Sequence, residues 1–304
     1  MMYIRCLSTV LLFCFWIMSG SSYICADDST AGNRIKLVVM DPLCDRLACD
    51  CVEGYAQRKY EALAESLKKQ LKKPVDLFWG ESIKAALEED PNVIPDIVIG
   101  KHSVVTSGAK TLKLKLKPIA QLTGSDGSVT QTGLIVVRKD DDATEVSELN
   151  NYRIFFGPAD CDEKYSAPMK LLRESGIQIP AKPEIYGACS QAATKLMELE
   201  SGTKAAAIIS SYAEPLLAGC GTIQKGDLRI IGESDDVAFV SVFINQKLNA
   251  DDQKLVRNAI LKSGKDEALL KALQSSKGFV PFNKKYLPEV ANRSDTPATT
   301  TKKN

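Results

Sequence analysis

Short apolar runs alternate along this chain with stretches in which apolar residues recur every three or four positions. Lys36-Leu37-Val38-Val39-Met40 is compact and β-branched and predicts a buried strand. Tyr60, Leu63, Ala64, Leu67 and Leu71 fall at helical spacing and predict one apolar helix face. Between them lies the loop Asp41-Pro42-Leu43-Cys44-Asp45-Arg46-Leu47-Ala48-Cys49-Asp50-Cys51, long for a strand-to-helix join. Val75-Asp76-Leu77-Phe78-Trp79 predicts a second strand and a helix capped by Ser82 follows it; Pro95-Asp96-Ile97-Val98-Ile99-Gly100 predicts a third, followed by a loop at Lys101-His102-Ser103. Leu112, Leu114 and Leu116 alternate with Lys113, Lys115 and Lys117, the pattern of a half-buried strand with a solvated face. A strong strand over residues 132–138 then leads away into a second alternating unit. Its strands are predicted at 152–156, 183–186, 205–209 and 228–231, and its helices at 167–174 and, capped by Ser190, at 191–199. An extended run at 237–244 is followed by two amphipathic helices at 251–262 and 266–274.

This rhythm predicts an α/β protein of two lobes, each a mostly parallel sheet flanked by helices. The late helices need a core to cover, and the first lobe is the natural host. The chain is therefore expected to leave the first lobe near Gln131, build the second over residues 132–235, and return, so that lobe one comprises 34–131 and 236–286. Two extended crossings make a hinge, and a hinge makes a closable cleft. The polar, Thr-rich residues 287–304 read as a disordered tail.

Charge changes the picture little. With 39 basic and 38 acidic residues the formal net charge is +1, which gives no reason to expect a nucleic acid or an anionic membrane as partner. The first 26 residues read as a secretory leader: a basic start, a short apolar core and small residues before a cleavage site at Ile24-Cys25-Ala26. Lipid attachment at Cys25 is the weaker alternative, because Ile24 fits that position poorly. The mature protein is expected in the periplasm or secreted. Of nine cysteines, Cys44, Cys49, Cys51, Cys161, Cys189 and Cys220 then remain. An even number in an exported protein points to disulfides, Cys44 with Cys49 or Cys51, and Cys189 with Cys161 or Cys220. A thiolate site for a soft metal is the alternative, weakened because Cys49-x-Cys51 is tighter than the usual zinc spacing.

Chemistry is sparse. His102 is the only histidine, so a Ser-His-Asp or histidine-rich metal site is unsupported, and there is neither a Walker loop nor a G-x-S-x-G turn. The reading is a protein without catalytic residues, metal or cofactor. In an open α/β sheet, ligands bind beyond the carboxyl ends of strands. The residues placed there are Asp41, Ser82, Lys101, His102, Ser103, Asp160, Asp162, Tyr165, Ser190, Ser211 and Tyr212. Lys101 and His102 would face an anionic group, Asp160 and Asp162 a cationic one. Together they suggest a small zwitterionic or polar solute, unless the acids are only first-turn acids of a helix.

Four segments carry a family resemblance. They are residues 95–100 ending in Gly100; 132–140 with Val146-Ser147-Glu148-Leu149; 156–165 with Pro168 and 171–177; and 192–202 with 205–210 and 228–231. Over roughly residues 35–282 the chain resembles the periplasmic phosphate/phosphite/phosphonate-binding proteins of ABC importers. The resemblance implies a type II periplasmic-binding fold, a monomer, a small-molecule ligand and a membrane permease as partner. In the resembled family hydroxyl residues and helix N–H groups hold the oxyanion after the position matching Gly157. Here that loop reads Ala159-Asp160-Cys161-Asp162-Glu163-Lys164-Tyr165, whose carboxylates oppose a phosphonate. The second reading is the same fold recruited as an accessory or redox/metal-binding protein with a cysteine-constrained cleft.

Overall fold

The computed structural model describes residues 34–47, 57–88, 93–219 and 221–287. The leader, Cys25, Cys49, Cys51, Cys220 and the tail beyond 287 lie outside the described residues. In chain order come β1 (Ile35–Met40), α1 (Tyr60–Leu71), β2 (Val75–Trp79), α2 (Ile83–Ala86), β3 (Ile97–Lys101), α3 (His102–Thr111) and β4 (Leu116–Leu122). β5 (Thr130–Gln131) and β6 (Gly133–Arg138) lead to β7 (Arg153–Phe156), α4 (Ser166–Glu174), β8 (Glu184–Ile185), α5 (Cys189–Met197), β9 (Ala205–Ser210), α6 (Ala213–Gly219) and β10 (Leu228–Glu233). β11 (Val237–Ala238), β12 (Val240–Asn245), α7 (Ala250–Leu261), α8 (Glu267–Ala272) and β13 (Phe279–Pro281) complete the chain.

These strands form two separate open sheets. The first has the order β13-β4-β12-β3-β1-β2 and the second β10-β6-β9-β7-β8. β1, β2 and β3 pair in parallel, whereas β12 lies antiparallel to both β3 and β4. In the second sheet β7 runs parallel to β8 and β9, and β6 antiparallel to β9 and β10. Two crossings join the sheets, and they pair with each other: Gln131 stands opposite Val237 and Thr130 opposite Ala238.

Each sheet carries its own core on both faces. Leu37, Val39, Tyr60, Leu63, Leu67, Ile97, Ile99 and Val242 pack on one side of the six-stranded sheet, and Val38, Ile83, Val98, Val105 and Phe243 on the other. The five-stranded sheet buries Ile135, Phe156 and Leu172 on one face and Val136, Phe155 and Leu196 on the other. The short side chains of Ala205, Ala206 and Ala207 let β9 lie buried beneath α5. Val256, Ala259, Ile260, Leu269 and Leu273 of α7 and α8 join the core of the six-stranded sheet, where α7 and α8 both meet α1.

Three local expectations are corrected. Lys101-His102-Ser103 is not a loop: α3 starts at His102 directly from β3. The Leu/Lys alternation does not make a strand over residues 113–115, because Leu112 closes α3 and Lys113 takes a left-handed φ of 55°. The strand begins only at Leu116. Ser190 is not a cap, since α5 begins one residue earlier and is capped from Ala188. Ser82 does cap its helix, accepting from the Ala85 N–H at 3.0 Å.

Candidate functional site

The two sheets meet where β3 ends and where the loop after β7 turns into α4. β3 is buried along its whole length and delivers Lys101 to its carboxyl end. Opposite, residues 157–164 form a closed turn. The Gly157 N–H donates to the Lys164 carbonyl at 3.0 Å, Cys161 N–H to Pro158 at 2.9 Å and Lys164 N–H to Cys161 at 3.0 Å. A single turn of 3-10 helix over Asp162–Lys164 follows from those bonds and swings Glu163 inward.

Glu163 is 1% exposed and stands at the centre of the site. Its Oε1 accepts from the Lys101 ammonium, from the Cys161 thiol at 3.0 Å and from the Ser210 hydroxyl at 2.9 Å. Lys101 therefore comes from the six-stranded sheet, Ser210 from β9 of the five-stranded one and Cys161 from the turn that follows β7. Lys101 Nζ also lies 3.4 Å from Cys161 Sγ and 5.2 Å from the centre of the Tyr212 ring. A second bond joins the sheets beside this pair, from the Asp162 N–H to Ser103 Oγ at 3.2 Å.

Electrostatics follow from that arrangement. Burial alone would push the Glu163 carboxyl up, but the Lys101 charge and the bonds from Cys161 and Lys101 outweigh it and hold the group at about 2. Burial would likewise lower Lys101; the Glu163 carboxylate overrides it, so its pKa is raised. The thiol of Cys161 is pushed up, by burial and then by Glu163, and stays protonated as a donor. Burial also raises Tyr212.

Behind the pair, aromatic rings link it to a second buried charge pair. Tyr212 stacks on Phe239 at 5.3 Å, and the Arg58 guanidinium lies 5.6 Å from the Phe239 ring. Arg58 Nη1 donates to Asp41 Oδ2 at 2.9 Å, the Tyr60 hydroxyl donates to the same oxygen at 2.6 Å, and the Leu43 N–H donates to Oδ1 at 2.9 Å. Asp41 and Arg58 are 0% and 5% exposed.

Of the residues expected at the cleft, Lys101, Ser103, Asp162 and Tyr212 meet here. Asp41 is engaged by Arg58 and Tyr60. His102 points elsewhere: its ring stacks 5.1 Å from Phe282 and 5.1 Å from Phe243, and Nδ1 lies 3.1 Å from Ser241 Oγ. Burial lowers it to about 4, so the ring is neutral and offers no charge to an anion. Asp160 is exposed, and the Asp162 carboxylate accepts from the Ser166 hydroxyl at 2.8 Å in the first turn of α4. Tyr165 packs edge-on against Phe156 at 5.8 Å. Ser211 Oγ accepts from the Thr132 N–H at 3.1 Å and braces a crossing. Ser190 lines a shallow surface depression with Tyr186, Gln191 and Thr194. Ser82 is spent on its cap.

Glu163, Ser210 and Arg58 were not singled out from the sequence. The acid run pointed to the right loop, but which of its acids turns inward depends on the 3-10 turn. No disulfide forms among the described residues: Cys44, Cys161 and Cys189 are free thiols. The expected alternative pairing of Cys161 with Cys189 is not made, because Cys161 serves Glu163 and Cys189 Sγ accepts from the Ser210 N–H at 3.4 Å. Among the described residues no three His, Cys, Asp or Glu side chains are grouped to hold a metal ion.

Two α/β sheets joined by paired crossings, with polar side chains converging between them, define a solute-binding protein of the type II periplasmic-binding fold. Residues 54–287 match the family described as ABC transporter, phosphonate, periplasmic substrate-binding protein, and the chain belongs to that family. Solved structures agree on the fold. PhnD1 from Prochlorococcus marinus (MIT 9301), in complex with methylphosphonate, has a TM-score of 0.61 at 15% identity over 84% of this chain and 94% of that one. XAC2383 from Xanthomonas citri, bound to ATP, has a TM-score of 0.61 at 13% identity, covering 83% and 92%. A binding protein component of an ABC phosphonate transporter from Pseudomonas aeruginosa has a TM-score of 0.60 at 12% identity, covering 82% and 81%. No curated protein matches the sequence. The chain is thus a solute-binding component of an ABC importer, and membership of this family favours that reading over the accessory one.

Proposed function

We propose that this protein captures a small zwitterionic solute between its two lobes, residues 34–131 with 236–286 and residues 132–235, and delivers it as a monomer to a membrane permease. It acts by binding alone, without catalysis, after export directed by its first 26 residues. The observation that carries the ligand class is the buried Lys101–Glu163 pair, one charge from each side of the cleft. A solute bearing an anionic and a cationic group can replace each charge's partner as the lobes part about the two crossings, leaving neither buried ion unpaired. A simple dianion satisfies Lys101 but brings negative charge against Glu163. Tyr212 supplies an apolar and π-rich wall.

Isothermal titration calorimetry tests this with three probes of matched length: an ω-aminoalkylphosphonate, an alkylphosphonate and an alkylamine. Binding of the zwitterion alone supports the reading. Equal affinity for the phosphonate with and without its amine overturns it.

A further inference from the structure

One oxygen of Glu163 receives three donors: an ammonium, a thiol and a hydroxyl. That is the environment a small bound oxyanion requires, a fixed positive charge plus convergent hydrogen-bond donors in a water-poor setting. The backbone bonds of the turn aim Glu163 inward, but two of its three donors, Lys101 and Ser210, come from outside the turn. The neighbouring acids behave differently: Asp160 is exposed, and the Asp162 carboxylate accepts from the Ser166 hydroxyl at the start of α4. Each donor is itself ordered. Lys101 is buried at the end of β3, Ser210 ends β9 and is 0% exposed, and Cys161 is 4% exposed within the bonded turn.

We propose that Lys101, Cys161 and Ser210 form an oxyanion subsite and that the Glu163 carboxylate is a tethered anion filling it. In this role Glu163 determines specificity. It keeps free carboxylates and phosphonates of single charge type out, and it ties the turn of residues 157–164 to the end of β3. The subsite accepts a small carboxylate or phosphonate once the tethered group is gone.

The inference concerns the cleft already read as the solute site, yet it does not depend on the solute being zwitterionic. Glu163→Ala leaves Lys101 buried without its counter-charge, and Tm is expected to fall on the order of 10 °C. Acetate, and separately methylphosphonate, should then raise the Tm of E163A saturably while leaving that of the wild type unmoved. The double variant Lys101→Met with Glu163→Ala, which lacks the charge, should show no such response. If E163A does not fold unaided, its refolding yield with and without acetate is the readout, and recovery with acetate is expected. A folded E163A that ignores both anions, a refolding yield that acetate does not restore, or a response equal to the wild type's overturns the proposal. A zwitterion that fails to bind the wild type while acetate rescues E163A overturns only the ligand class proposed above.

Discussion

A Cβ on Gly133 would stand 1.9 Å from the carbonyl oxygen of Glu163 and 2.5 Å from Pro168. The first strand of the second sheet thus runs directly beneath the turn that presents the central carboxylate. Only the absence of a side chain at Gly133 allows the approach, since the obstacle is backbone and has little freedom to yield.

Gly133→Ala should therefore cost about 1–3 kcal/mol and displace the turn carrying Glu163. Urea unfolding measures the first effect and loss of solute-dependent thermal shift the second. Gly108→Ala is the control, because its Cβ would meet Ile83 at an ordinary 3.5 Å inside α3. That substitution is expected to be neutral or stabilising by roughly 0.5–1 kcal/mol.

Asp41→Asn keeps the shape of the side chain and removes the charge that faces Arg58. A buried guanidinium without a counter-ion should lower stability by roughly 3–5 kcal/mol, read from the urea midpoint at unchanged slope. Tyr60→Phe removes only one donor to the same carboxylate and should cost roughly 1.5–3 kcal/mol.

Acid should weaken the protein in two windows. His102 is held at about 4 by burial, against 6.5 when unfolded. The unfolded chain therefore takes up the proton first, and stability falls as pH drops from 6.5 to 4. Glu163 is held at about 2, against 4.5, so its contribution is complete above pH 4.5 and lost as pH falls towards 2. Within each window the slope approaches about 1.4 kcal/mol per pH unit. His102→Phe, which can keep the stack on Phe282, should flatten the first window and leave the second. Denaturant midpoints measured across pH check both.

Thiol reactivity should separate the cysteines. Burial, then the nearby Asp41 charge, push the Cys44 thiol up to about 12, and Cys161 is raised as well. Peptide mapping after iodoacetamide should find Cys189, which is half-buried, labelled in the native protein, and Cys44 and Cys161 labelled only on unfolding. A Cys161–Cys189 disulfide in the purified protein would contradict the bonding around Glu163.

The period of the apolar pattern revealed the sheets because both cores obey it: Leu37 and Val39 face one side of β1 and Val38 the other. Leu269 and Leu273, apolar at helical spacing, lie in the core of the six-stranded sheet. Pattern failed where a side chain's direction depends on one turn of backbone. Lys113 carries the right alternation but sits at positive φ, so the lysine row is broken before it becomes a strand. His102 resembles a cleft residue by position, yet the first turn of α3 carries its ring between Phe243 and Phe282. Among Asp160, Asp162 and Glu163 composition is uninformative; the bond from Gly157 to Lys164 decides which acid meets Lys101.

The insertion of β12 between β3 and β4 has a temporal consequence. The five-stranded sheet is drawn from one uninterrupted stretch and needs no strand from elsewhere in the chain. The six-stranded sheet has a gap at its middle until Val240–Asn245 is synthesised. Residues early in the chain must wait for distant ones to reach their final neighbours, and a chain truncated before Val240 would hold every strand of the five-stranded sheet while the other sheet lacked the strand between β3 and β4.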